Sequence, residues 1–149
     1  MSPIRDANLN LSPNDSDLPL IATNVMSANT IDLKGTPLKG LCVRLNVGYT
    51  AGNSAVLTGT LNVIIHAASS TPVASSDPIV GQLDDPIIMS SETAGYTLEE
   101  IIPFTTNYRY VRAEFVVTTV ASDSPSWSEV EAYITENVGL NWTRQVEFL

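Results

Sequence analysis

The chain has 149 residues, 44% of them apolar and 15% charged, with a formal charge of −9. That length fits one domain with a substantial core, and the apolar content excludes a disordered chain. The acidic balance suits no phosphate backbone and no apolar run is long enough to span a bilayer, so neither nucleic acid nor membrane is expected as a partner.

The opening run MSPIRDANLN lacks the apolar core of a secretory signal, so none is expected. Residues 1–28 are polar and turn-rich, with Pro3, Pro13 and Pro19 among scattered apolar positions at Ile4, Leu9, Leu11, Leu18, Leu20 and Ile21. They read as an extended N-terminal arm, lying on its own domain or on a neighbour, with a short edge strand around Leu9 and Leu11. Residues 29–149 read as the folded domain with a C-terminal tail.

Ser27–Leu33 reads as a short strand stopped by Lys34-Gly35, and Gly35, Pro37 and Gly40 mark a loop. Leu41, Val43, Leu45, Val47 and Tyr49 then alternate with Cys42, Arg44, Asn46 and Gly48, a half-buried strand with Cys42 opposite the apolar face. After a turn at 50–54, Leu57, Gly59, Leu61, Val63 and Ile65 give a second strand running to His66, and the two are expected to pair as a hairpin. Residues 67–78 read as a long surface loop. Ile79–Met89 holds two short apolar pieces broken by Asp84-Asp85-Pro86, and Leu98–Phe104 is a strand whose Pro103 marks an edge or a bulge.

Tyr108–Val120 is the strongest strand. Val111, Ala113, Phe115 and Val117 share one face, while Tyr110, Arg112, Glu114 and Thr118 share the other, with Val116 as the aliphatic exception. This is the expected central strand. A turn at 121–126 leads to Val130, Ala132 and Ile134, which alternate with Glu129, Glu131, Tyr133 and Thr135. The tail carries Leu140, Trp142, Val146, Phe148 and Leu149. Without any sustained helical period, the fold class is all-β: an antiparallel β-sandwich, immunoglobulin-like or jelly-roll-like by pattern alone.

Chemistry is hard to find. Cys42 is the only cysteine, so there is no internal disulfide and no multi-cysteine zinc site. His66 is the only histidine, and with no ligand spacing around it it reads as a partly exposed structural residue. Asp84-Asp85 reads as a turn, and adjacent Glu99 and Glu100 point to opposite faces of a strand. Phosphate loops, nucleophile elbows and calcium-loop spacing are absent, so no catalytic residue, cofactor or metal is expected. The acidic stretch between Arg44 and Arg109 reads as solvated surface. Trp127, Tyr133 and Trp142 are the aromatic candidates for a sugar platform, against a role covering the sandwich or a seam between subunits. The separated apolar residues of the arm and tail suggest docking ends, whether on the chain's own sandwich or on another chain.

The arrangement resembles the phage capsid cement, or decoration, proteins of the Bordetella-phage type. The resemblance spans roughly residues 9–136. It lies in the arm, the run Ser27-Ala28-Asn29-Thr30-Ile31-Asp32-Leu33-Lys34-Gly35, the strands Leu41–Tyr49 and Ala55–His66, the run Asn107-Tyr108-Arg109-Tyr110-Val111-Arg112 opening a long strand, and a final strand after a loop. The loop Ser122-Asp123-Ser124-Pro125-Ser126-Trp127 departs from that pattern. What the resemblance implies is a jelly-roll subunit on the outer surface of an icosahedral virion, self-associated as a homotrimer and gripping the major capsid protein of neighbouring capsomers. The intersubunit or capsid contacts would then fall on Ile4, Leu9, Leu11, Leu18, Leu20, Trp127, Trp142, Phe148 and Leu149. The competing readings are a tail or head-fibre domain, a carbohydrate-binding module and, last, a β-sandwich hydrolase.

Overall fold

A computed structural model of the protein describes residues 10–12, 24–34, 41–50, 59–90, 94–119 and 126–136. All the regular structure among them is β: β1 (Val25–Met26), β2 (Ile31–Asp32), β3 (Leu41–Thr50), β4 (Gly59–Ala68), β5 (Ile79–Gln82), β6 (Ile87–Ile88), β7 (Thr97–Phe104), β8 (Tyr110–Thr119) and β9 (Ser126–Glu136). No described helix is long and apolar enough to cross a membrane.

Two antiparallel sheets face each other. One runs β7-β3-β9, and Asn10 bridges to Tyr133 on the far edge of β9. In the other, β8 and β4 are central; β1 and β2 lie end to end along β8, and β5 and β6 end to end along β4. Each sheet is therefore four strand positions wide. With β1 and β2 counted as one broken strand, and β5 and β6 as another, every connection passes from one sheet to the other except that between β4 and β5. That connectivity makes the sandwich a jelly roll.

The alternation read from sequence sets the core. Val111, Ala113, Phe115 and Val117 of β8 and Leu61, Val63 and Ile65 of β4 meet Val43, Leu45, Val47 and Tyr49 of β3 and Val130, Ala132 and Ile134 of β9, all buried in one cluster. β8 lies in the middle of its sheet, as its sequence implies. The two apolar pieces of residues 79–89 are β5 and β6, and Pro103 lies on the edge strand β7, where a missing N–H costs no ladder bond.

Leu41–Tyr49 and the strand ending at His66 are not a hairpin. β3 pairs with β7 and β9, β4 pairs with β8, β5 and β6, and the two stand in opposite sheets. Both bury their alternate residues from opposite sides of one core, so the sequence pattern is the same for a hairpin and for a crossing. The arm boundary also moves. Val25 and Met26 already pair with Phe115 and Glu114, and Leu11 is fully buried in the core.

Two serines complete the outer edges. Ser27 lies between β1 and β2; its amide donates to Ala113 O at 2.7 Å and its Oγ accepts from Ala113 N at 3.1 Å. Ser12 does the same beside β9, its Oγ accepting from Ala132 N at 3.1 Å while Leu11 N donates to Ala132 O at 2.8 Å. Each hydroxyl satisfies a strand amide where the edge strand is interrupted. Ala28 N donates to Ser12 O, joining the two edges.

Candidate functional site

Of the nine residues read as contacts, Leu11 and Trp127 are described. Both are buried in this chain's own core rather than exposed as contact surface. Leu11 is wholly enclosed, and Trp127 is 1% exposed with its ring edge-on to Tyr49. They anchor this chain's own core and offer no face to another chain. Ile4, Leu9, Leu18, Leu20, Trp142, Phe148 and Leu149 lie outside the described residues.

The phase of β9 explains Trp127. The register shifts between Gly48 and Tyr49, so Gly48 aligns with Glu129 and Tyr49 with Trp127. One extra residue on β9 turns odd positions inward below the bulge and even positions inward above it. Tyr133, on the outward side, is nonetheless buried, as is Cys42 two register steps away on β3. Burial pushes the Cys42 thiol pKa up, against the pull of nearby Arg44. Neither Trp127 nor Tyr133 presents the open ring that a sugar platform needs.

The two outer faces differ in chemistry. The β7-β3-β9 face carries Glu99, Glu129 and Glu131 around Arg44, whose guanidinium holds Glu99 at 2.7 Å. The opposite face carries Met26, Thr60, Asn62, Ile64, Val116 and Thr118, with exposed Ile88 at one border and exposed Ile79 at another. Its central strip is thus largely aliphatic and uncharged, with Glu114 aligned between Met26 and Ile64. Asp84, Asp85 and Glu100 are exposed, and the turn reading of Asp84-Asp85 stands. Glu100 shares the phase of buried Ile102 and Phe104 yet faces solvent, a charge that discourages pairing at the edge of β7.

The titratable groups that converge do so around His66. This histidine is 2% exposed, not partly exposed as its sequence position implies. It lies near the end of β4 on the outer face, and residues 69–78 fold back over it. Nδ1 lies 2.8 Å from Asp77 O, and Nε2 lies 3.2 Å from Glu114 Oε1 on β8. Arg112 donates through Nε to Ser27 O at 2.8 Å and through Nη1 to Val73 O at 3.3 Å, with Val73 fully buried beneath the loop. Asp77 closes the loop itself: its Oδ2 accepts from Ala74 N at 2.7 Å, and its amide donates to Ala74 O at 3.0 Å. The cluster fastens a loop to a sheet. The ring is closed off on both sides, which leaves it no geometry for taking a proton from a substrate.

A second charged tie holds β2 against the start of β8. Arg109 grips Asp32 with two bonds of 2.9 Å, and Lys34 N donates to Asp32 Oδ1 at 2.8 Å. Together they hold the Asp32 carboxyl down at about 2. Lys34 takes a positive φ of 55° as the chain leaves β2, and the Asp32 side chain stabilises that turn. Arg109 also lies over the Tyr110 ring. No group of His, Cys, Asp and Glu able to hold a metal ion occurs among the described residues.

No protein-family model matches the chain, and no curated protein matches it.

Proposed function

We propose that this protein is a structural component of a phage virion, one that decorates and cements the outside of an icosahedral capsid as trimers set between capsomers of the major capsid protein. The observation that carries the reading is where the resembling segments fall in the jelly roll. Ser27–Leu33 forms the broken edge beside β8, Tyr110–Arg112 opens β8 itself, and the two strands before His66 supply the centre of each sheet. A subunit of this kind works by shape and contact. Three linked copies, each touching a different neighbour, turn weak contacts into firm attachment because the second and third form at high effective concentration. Two outer faces of unlike chemistry suit a part that meets more than one surface.

Within this reading, the contacts fall to Ile4, Leu9, Leu18 and Leu20 of the arm and to Trp142, Phe148 and Leu149 of the tail. Leu11 belongs to the fold, so a test must spare it. Removal of residues 1–8 should leave the sandwich folded and weaken binding to capsid shells stripped of this protein. The intact protein should sediment as a trimer and reoccupy those shells. A monomer that ignores the shells overturns the proposal; full occupancy by the shortened chain overturns the role of Ile4 and the segment before Leu9.

A further inference from the structure

We propose that His66 is held as an imidazolium, and that this one proton fastens residues 69–78 to the outer face of the sheet, making the loop a pH-released strap. The argument is one of donors and acceptors. A neutral imidazole has one N–H and one lone pair. Asp77 O, a carbonyl, only accepts, and it faces Nδ1 at 2.8 Å. An ionised Glu114 carboxylate only accepts, and it faces Nε2 at 3.2 Å. Either neutral tautomer would set a lone pair against an oxygen in a site that is 2% exposed at His66 and 18% at Glu114. A ring protonated on both nitrogens satisfies both oxygens and forms an ion pair with Glu114.

The other polar groups around the ring are engaged elsewhere. Arg112, aligned with His66 across β4 and β8, turns its guanidinium to the carbonyls of Ser27 and Val73. The Asp77 carboxylate is occupied by Ala74 N. From β5, Ile79 stands beside His66 and brings no charge; from β1, Met26 stands beside Glu114 and brings none. Glu114 is thus the carboxylate that answers the ring directly. When the ring proton leaves, the remaining tautomer serves one oxygen and repels the other. The loop then loses either its hold at Asp77 or the bond to Glu114 that orients the ring, and Val73 with its Arg112 contact loosens too.

His66 being the chain's only histidine, the test is direct. The intact, nitrogen-15-labelled protein is followed by NMR across pH, reading the imidazole nitrogens and the exchange of the Ala67, Ala74 and Asp77 amides, corrected for intrinsic exchange. Both ring nitrogens should carry protons while the loop is closed. Loss of one should accompany a rise of about tenfold or more in loop amide exchange, the consequence of losing one charge-assisted hydrogen bond. The Val43 and Val47 amides in β3 should not follow. Glu114→Gln supplies an amide that donates to Nε2 of a neutral ring, so this variant should keep the loop closed across the same pH range with a neutral imidazole. A neutral ring beneath a closed loop in the unmodified protein overturns the proposal, whether or not Glu114 then carries the proton. So does a ring that titrates while the loop amides stay unchanged.

Discussion

Tyr49 and Trp127 meet edge to face, ring centroids 5.6 Å apart and planes at 74°, at the point where β3 and β9 change register. The same Tyr49 hydroxyl donates to Ser90 O at 3.0 Å and accepts from Ser90 N at 2.7 Å, tying β3 to the connection between β6 and β7. One tyrosine thus joins the neighbouring strand β9 through its ring and the β6–β7 connection through its oxygen. Trp127→Ala should lower unfolding free energy by about 3–5 kcal/mol, the range for emptying a buried aromatic site. Tyr49→Phe keeps the ring contact and removes both of its bonds to Ser90, while Ser90 O keeps the bond from Ala94 N, at a cost of about 1–3 kcal/mol. Denaturant unfolding of both variants would check the order.

That tie also marks where the sequence stops being legible. The inward residues of β3, β4, β8 and the upper part of β9 follow from alternation, because a single phase runs through each strand. Trp127 does not, because a bulge shifts the phase by one residue. The pairing partners of β3 and β4 are silent in the pattern too. A short connection can close a hairpin or cross the roughly 10 Å between stacked sheets, and the inward residues are the same for both. His66 reads as a partly exposed outer-face residue until residues 69–78 fold over it, an event set by contacts far along the chain. Of the contact residues, Leu11 reads as an apolar anchor, but nothing local says whose core it enters.

Gly81 sets how closely β5 can approach β7. A Cβ there would stand 3.0 Å from Phe104 Cβ and 3.1 Å from Pro103 O. Neither atom can swing aside, since one is a backbone carbonyl and the other is bound directly to the backbone. Gly81→Ala should therefore destabilise the sandwich by about 1–3 kcal/mol, as overpacking does. Gly59→Ala is the matched comparison. Its nearest contact would be Met89 Sδ at 2.9 Å, on a flexible side chain, with Thr118 O at 3.3 Å. It should cost less than Gly81→Ala, and a reversed order in thermal unfolding would contradict the account of the β5–β7 junction.

Leu11 and Ser12 make the start of the chain part of the fold. Leu11 is fully buried and Ser12 nearly so, with three hydrogen bonds joining them to Ala132. Leu11→Ala should cost about 2–5 kcal/mol as a core truncation. Ser12→Ala should cost about 1–3 kcal/mol, because Ala132 N loses its acceptor. A chain starting at residue 9 should unfold with nearly the midpoint of the full protein, whereas one starting at residue 13 should lose several degrees at least. Equal midpoints for the two shortened chains would mean that the edge beside β9 contributes nothing.

Asp32 is the carboxylate whose acid titration should stand apart. The Arg109 hydrogen bonds, then the Lys34 amide, take it from its ordinary 3.8 to about 2. Since the folded value lies below the unfolded one, the ion pair stabilises the fold above pH 3.8, and that contribution is lost as the pH falls towards 2. Arg109 is raised by the same partner, and both side chains lie at the surface, so salt should weaken the pair. Carbon-detected NMR titration of Asp32 should give a midpoint near 2 in the intact protein and a clearly higher one in Arg109→Gln, which removes the cation while keeping a polar side chain. High salt should move the intact protein in the same direction. An unchanged midpoint in Arg109→Gln would shift the cause to the Lys34 amide, which the substitution leaves in place.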